Sequence, residues 1–170
     1  MDNSVLNEYT KEAVRLLSSK NFTLSVAESC TGGLLSKAIT DISGISKVYK
    51  GGICVYSNEA KINLLGVSSE TINKYGAVSE KTAYEMAQGV CRAFNTDIGI
   101  AITGIAGPNS DDTKKPVGLI YIAVNIQDDI SVTELKNTFT KDIRNSNRYE
   151  AAAKALQMLS EKLHSLKGKS

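Results

Sequence analysis

Leu24-Ser25-Val26-Ala27-Glu28-Ser29-Cys30-Thr31-Gly32-Gly33 is the stretch around which this chain is organised. A β-leaning run over 23–27 stops at small and hydroxyl residues, and Leu34-Leu35-Ser36-Lys37-Ala38-Ile39 resumes with helical spacing. That is a strand, a tight turn and a helix start. Ser29, Cys30 and Thr31 crowd the turn, while Gly32 and Gly33 let the backbone come close to a ligand. The N–H groups of a helix start can hold an anion or stabilise an oxyanion. A nucleophile on such a turn is presented much as in hydrolase elbows. The same residues also fit a plain helix cap, with Ser29 or Thr31 capping and the glycines easing packing.

Outward from that turn, elements alternate. An amphipathic helix opens the chain over 5–20, with Leu6, Ala13, Val14, Leu16 and Leu17 spaced helically. After the turn the spacing predicts a helix over 31–42, ended by Ser43-Gly44, and a strand within 48–56 whose Ile53-Cys54-Val55-Tyr56 end reads as buried. A helix capped by Ser57 or Asn58 runs to Leu65-Gly66, and a short one follows over 68–76. Ser79 caps a longer helix, Glu80 to Phe94. Strands are expected over 97–103, 117–126 and 131–140, with a turn-rich loop from Gly104 to Asp112 and a closing helix from Arg144. The order predicts a single α/β domain over 1–170, a three-layer α/β/α sandwich with a mixed, mostly parallel sheet.

Composition narrows the function. The chain has 170 residues, 42% hydrophobic and 22% charged, which is ordinary for a globular domain. A net charge of +2, with basic residues scattered, argues against a nucleic-acid or membrane surface. The one basic concentration, Lys154, Lys162, Lys167 and Lys169, reads as a solvated helix face and tail. No apolar run nears the ~20 residues a membrane helix needs, and Met1-Asp2-Asn3-Ser4 does not begin a signal peptide; a cytoplasmic protein is expected. Cys30, Cys54 and Cys91 form no C-x-x-C pair, and His164 is the single histidine. No metal site and no cofactor are expected, and a Ser-His-Asp or Cys-His triad has no histidine to use.

Several groups remain as candidates. Lys61 lies about one turn after Ser57, near a helix start whose dipole lowers a lysine pKa. A neutral lysine can serve as general base toward a serine; a solvated surface lysine fits the same spacing. Thr103-Gly104-Ile105-Ala106-Gly107-Pro108 offers a hydroxyl and backbone donors to a ligand, or simply a turn. Arg144 and Arg148 are one turn apart and share a helix face suited to phosphate, or to pairing with Asp142 or Glu150. If the strands before them are parallel neighbours, the loops at 28–33, 56–61 and 103–107 converge. A pyrophosphatase would want metal-binding carboxylates, for which Asp111-Asp112 is the adjacent acidic pair in a plausible loop.

The sequence resembles the CinA C-terminal domain family of competence/damage-inducible proteins. The match rests on Ala27-Glu28-Ser29-Cys30-Thr31-Gly32-Gly33, Tyr56-Ser57-Asn58-Glu59-Ala60-Lys61, Gly76-Ala77-Val78-Ser79-Glu80, Thr103-Gly104-Ile105-Ala106-Gly107-Pro108 and Lys115-Pro116-Val117-Gly118, in order along nearly the whole chain. The resemblance implies hydrolysis of the carboxamide of nicotinamide mononucleotide to nicotinic acid mononucleotide and ammonia. It implies Ser29 as nucleophile, with Tyr56 and Lys61 beside it and Thr103 lining the site. Glu28, Cys30, Thr31, Gly32, Gly33 and Gly104 are then expected around the substrate. Arg144 is expected on the phosphate. Many members read Gly-Asp-Arg there, whereas this chain reads Lys141-Asp142-Ile143-Arg144, so Arg148 is the second candidate. Lys61, directly or through Tyr56, would take the Ser29 proton, and N–H groups over 30–33 would hold the oxyanion. A stand-alone deamidase form, homo-oligomeric as a dimer or higher, is expected. The rival expectation is a non-catalytic nucleotide-binding regulatory module.

Overall fold

The structure, a computed structural model, describes residues 4–110 and 113–166. Asp111-Asp112, the first three residues and the basic tail from Lys167 lie outside the described residues. In chain order come α1 (Ser4–Lys20), β1 (Leu24–Glu28), α2 (Leu34–Thr40), a 3-10 turn at Ile45–Lys47 and β2 (Tyr49–Cys54). Then follow α3 (Asn58–Leu65), α4 (Ser69–Tyr75), α5 (Glu80–Phe94), β3 (Ile98–Gly104), β4 (Leu119–Ile126), β5 (Asp129–Lys136) and α6 (Ile143–Ser165).

The strands form one sheet in the order β2-β1-β3-β4-β5. Strand β1 is parallel to both its neighbours, and β3-β4 and β4-β5 are antiparallel. The sheet is therefore mixed, with only β4 running against the others. Helices α1, α2 and α6 cover one face and α3, α4 and α5 the other, which gives the expected α/β/α layers.

Side-chain size decides which helix lies on which face. In β3, Ile98, Ile100 and Ile102 point into the larger core with α1, α2 and α6. The alternate positions are small, and Ala101 faces α5 with Ala27 of β1 and Ala123 of β4. A Cβ on Gly99 would fall 2.4 Å from the Ala87 carbonyl oxygen, so α5 lies almost on the strand. Its buried face is Ala83, Met86, Ala87 and Val90, where full burial of a side chain of Met or Val size contributes about 1.5–3 kcal/mol.

Three elements differ from the sequence-based expectation. Helix α2 begins at Leu34, not Thr31, because Gly32 and Gly33 take φ of 59° and 93° and hold the chain out of the helix. Strand β2 ends at Cys54 and alternates between half-buried and exposed, because it is the sheet edge. Strand β5 starts earlier than expected, two residues after β4, across Gln127 and Asp128 at φ of 50° and 71°. That is the left-handed geometry of a two-residue hairpin, made without glycine.

Among the described residues no helix is long and apolar enough to cross a membrane.

Candidate active site

Because β2, β1 and β3 are parallel neighbours, their carboxyl ends lie side by side, and the loops that leave them meet. They wall a cavity of about 320 Å³, within the range of small-molecule sites. Ser29, Cys30, Tyr56, Lys61, Thr103, Gly104 and Arg144 line it.

Ser29 follows directly on β1. Its N–H donates to the Ile102 carbonyl at 3.0 Å, and its own carbonyl accepts from Gly32 N–H at 3.1 Å. The turn is thus closed around the serine. Lys61 comes from the first turn of α3, a helix started by the Ser57 hydroxyl, which accepts from Ala60 N–H at 3.0 Å. The lysine runs inward and is only 1% exposed. Its Nζ lies 3.1 Å from Ser29 Oγ, 2.9 Å from the Val55 carbonyl and 3.3 Å from the Tyr56 carbonyl.

Burial pushes Lys61 down to about 8 from an ordinary 10.5. The expected cause was the helix dipole; the one that operates is loss of water. A neutral amine has two hydrogens and one lone pair. The two carbonyls take the hydrogens, and the lone pair is left for the Ser29 hydroxyl. The constellation can therefore pull a proton from Ser29 without histidine. Cys30, beside it, is 5% exposed, and burial pushes its thiol up to about 12, so it stays protonated.

Of the two expected routes for the Ser29 proton, directly to Lys61 or through Tyr56, the geometry is that of the direct one. The Tyr56 hydroxyl accepts from Arg144 Nη2 at 3.1 Å, while Lys61 reaches Ser29 directly. Arg144 also donates through Nη1 to the Gly107 carbonyl at 2.8 Å. One turn on, Arg148 turns away: its Nε and Nη2 donate to the Thr31 carbonyl at 3.0 and 2.7 Å. Arg144 stands at the cavity and Arg148 braces the turn behind it.

Thr31, Gly32, Gly33 and Glu28 support the turn and do not line the cavity. Thr31 is fully buried. Glu28 is fully buried too, and its carboxylate accepts from the N–H groups of Gly33, Leu35 and Ser36 at 3.0, 3.1 and 2.8 Å and from Ser36 Oγ at 2.7 Å. It caps α2 from inside, buried behind the cavity wall. The N–H groups of Gly32 and Gly33 are likewise taken, by Ser29 and Glu28. Of the oxyanion donors expected over 30–33, Cys30 is the one whose residue lines the cavity.

Thr103 is 1% exposed and donates from Oγ1 to the Ala77 carbonyl at 2.8 Å. At Gly104 a Cβ would meet Ile120 Cγ1 at 2.6 Å, so the strand end has no room for a side chain.

Sequence reasoning missed the wall opposite, Ala77 and Val78, and missed Asn147. Asn147 is 1% exposed; its Nδ2 donates to the Ala106 carbonyl and its Oδ1 accepts from Asn137, each at 3.0 Å. With Arg144 it pins the 105–108 loop to α6. The available signal was an asparagine three residues after Arg144, ahead of the apolar run of α6.

His164 lies away from the site, 3.2 Å from Glu12. Among the described residues, no group of three or more His, Cys, Asp or Glu side chains is placed to hold a metal ion.

The profile of the CinA C-terminal domain matches residues 6–163. A Clostridium kluyveri protein named as competence-damage inducible is 51% identical over 129 residues, 76% of this chain and 32% of that protein. An Acetivibrio thermocellus protein with the same name is 48% identical over 156 residues, 92% of this chain and 37% of that protein. The chain thus spans about a third of the length of these relatives. The crystal structure of a competence-damaged protein (CinA) superfamily protein from Klebsiella pneumoniae superposes with a TM-score of 0.89 at 34% identity, covering 95% of this chain and 99% of that one. That of a competence/damage inducible protein from Agrobacterium tumefaciens gives 0.88 at 34% identity, covering 95% and 96%.

Proposed function

The chain belongs to the CinA C-terminal domain family, and from that premise we propose that it is a nicotinamide-nucleotide amidase. It hydrolyses the carboxamide of nicotinamide mononucleotide to nicotinic acid mononucleotide and ammonia. The observation that carries the reading is the buried Lys61 Nζ at 3.1 Å from Ser29 Oγ. An amidase lacking a histidine at its nucleophile needs another base, and a desolvated lysine supplies one.

Neutral Lys61 takes the Ser29 proton as Oγ attacks the carboxamide carbon. The oxyanion is met by the N–H of Cys30, the residue of the turn after Ser29 that lines the cavity; loss of one such donor typically costs ~10²–10³ in rate. The Lys61 ammonium returns its proton to the leaving nitrogen, which departs as ammonia. Lys61, neutral again, activates the water that hydrolyses the Ser29 ester. Carboxylate is released and the serine is restored. The cationic Arg144 at the cavity suits the substrate phosphate.

The test is ammonia release from nicotinamide mononucleotide by purified, EDTA-treated protein, with Ser29→Ala alongside. Release by the wild type and none by the variant is expected. No release by either, with the nucleotide still bound, would replace the amidase with a regulatory nucleotide-binding module.

A further inference from the structure

We propose that Lys115 is a positioning residue of this site. By holding the 76–78 segment it keeps the Ala77 carbonyl on the hydroxyl hydrogen of Thr103, so that Thr103 meets a ligand with lone pairs alone and selects a carboxamide over the corresponding carboxylate. The inference rests on the amidase reading above.

The Thr103 hydroxyl has one hydrogen and two lone pairs. The hydrogen is spent on Ala77 at 2.8 Å, and what remains is acceptor capacity. That acceptor stands beside the nucleophile. Glu28 and Ile102 are register partners, and Ser29 N–H donates to Ile102, so Ser29 and Thr103 are the next positions on adjacent strands. A carboxamide brings N–H groups to such an acceptor. A carboxylate brings only lone pairs, and oxygen would face oxygen. A site built on one committed hydrogen bond discriminates by leaving the wrong ligand unpaired. Here the wrong ligand is the reaction's own product.

The arrangement depends on where Ala77 sits. It lies in the short link between α4 and α5, a segment with no ladder of its own. Lys115 Nζ donates to the Tyr75 carbonyl at 2.7 Å and to the Val78 carbonyl at 2.5 Å, one on each side of Ala77. The Ser79 and Thr82 hydroxyls add bonds to the Gly76 carbonyl at 3.1 and 2.8 Å. A Cβ on Gly76 would sit 3.1 Å from Lys115 Nζ, so the ammonium is packed onto the link itself. Lys115 reaches across from the segment before β4.

The measurement is calorimetric binding of nicotinamide mononucleotide and nicotinic acid mononucleotide to Ser29→Ala, at one pH so that the charge on Lys61 is common to all. Lys115→Met, Thr103→Val and Thr103→Ser are then added on that background. The ratio of the two dissociation constants should move about tenfold toward the carboxylate in Lys115→Met and in Thr103→Val, and should stay in Thr103→Ser, which keeps the hydroxyl. A Lys115→Met protein that melts lower and binds both nucleotides more weakly with the ratio unmoved overturns the proposal. So does an unmoved ratio in Thr103→Val. Binding of neither nucleotide by Ser29→Ala sinks the amidase reading itself, and this inference with it.

Discussion

Arg144 and Tyr56 meet across the mouth of the cavity, the guanidinium Nη2 donating to the phenol oxygen at 3.1 Å. They come from opposite faces of the sheet, one from α6 and one from the loop ahead of α3. Tyr56 is 64% exposed, so this is a contact a ligand can displace. Arg144→Ala is expected to raise KM for the mononucleotide about tenfold or more, in line with loss of a charge-assisted contact, with kcat little changed. Steady-state kinetics check it, and an unchanged KM would remove Arg144 from substrate binding.

Arg148 should behave in the opposite way. Its bidentate grip on the Thr31 carbonyl is structural, and hydrogen bonds from a charged group contribute about 1.5–3 kcal/mol. Arg148→Ala is expected to lower unfolding stability by an amount of that order while KM stays within a few-fold. Denaturant titration and kinetics on one preparation separate the two arginines.

The Lys61 pKa sets the pH profile. The base works when neutral, so kcat/KM should rise as pH passes through about 8 and then level off. A profile flat from pH 6 to 10 would mean that Lys61 is not the base. Lys61→Met should reduce turnover by about 10²–10⁴, the range of general base catalysis.

The same lysine writes a second signature, in stability. Its folded pKa lies below the unfolded one, so the folded state binds fewer protons between about 8 and 10.5. The cost of burying the ammonium is full below pH 8, shrinks as pH rises through that window, and is gone above it. At about 1.4 kcal/mol per unit this amounts to about 3 kcal/mol. Wild-type stability should gain roughly that much from pH 8 to 10.5 relative to Lys61→Met, read from denaturant titrations of both. Parallel curves would contradict the buried, perturbed amine.

Glu28→Gln tests the internal cap. The replacement amide turns an acceptor into a donor facing N–H groups, in a fully buried place. A loss on the order of 3 kcal/mol is expected from the unsatisfied groups. A thermal melt unchanged from wild type would show that the four bonds to Glu28 carry little.

Where local chemistry governs, the sequence was readable. Ser57, Ser68 and Ser79 each cap the helix their position announces, and Gly66 ends α3 in a left-handed turn. The Ser29–Lys61 meeting followed from parallel neighbours with short loops. What could not be read depends on distant partners. A Cβ on Gly51 would fall 2.4 Å from the Phe94 ring, a contact set by a helix more than forty positions away. Arg144 and Arg148 share a helix face, and only the packed fold decides that one meets Tyr56 and the other Thr31. The family resemblance implied Glu28 as a substrate contact through the motif it shares with Ser29, yet strand alternation turns neighbouring side chains to opposite faces.

All three thiols of the chain sit above their ordinary pKa, chiefly through burial. None is a thiolate at neutral pH, and peroxides and disulfides attack thiolates. With a hydroxyl beside an amine as its reacting pair, the chemistry proposed for this cavity runs independently of the redox poise of its surroundings.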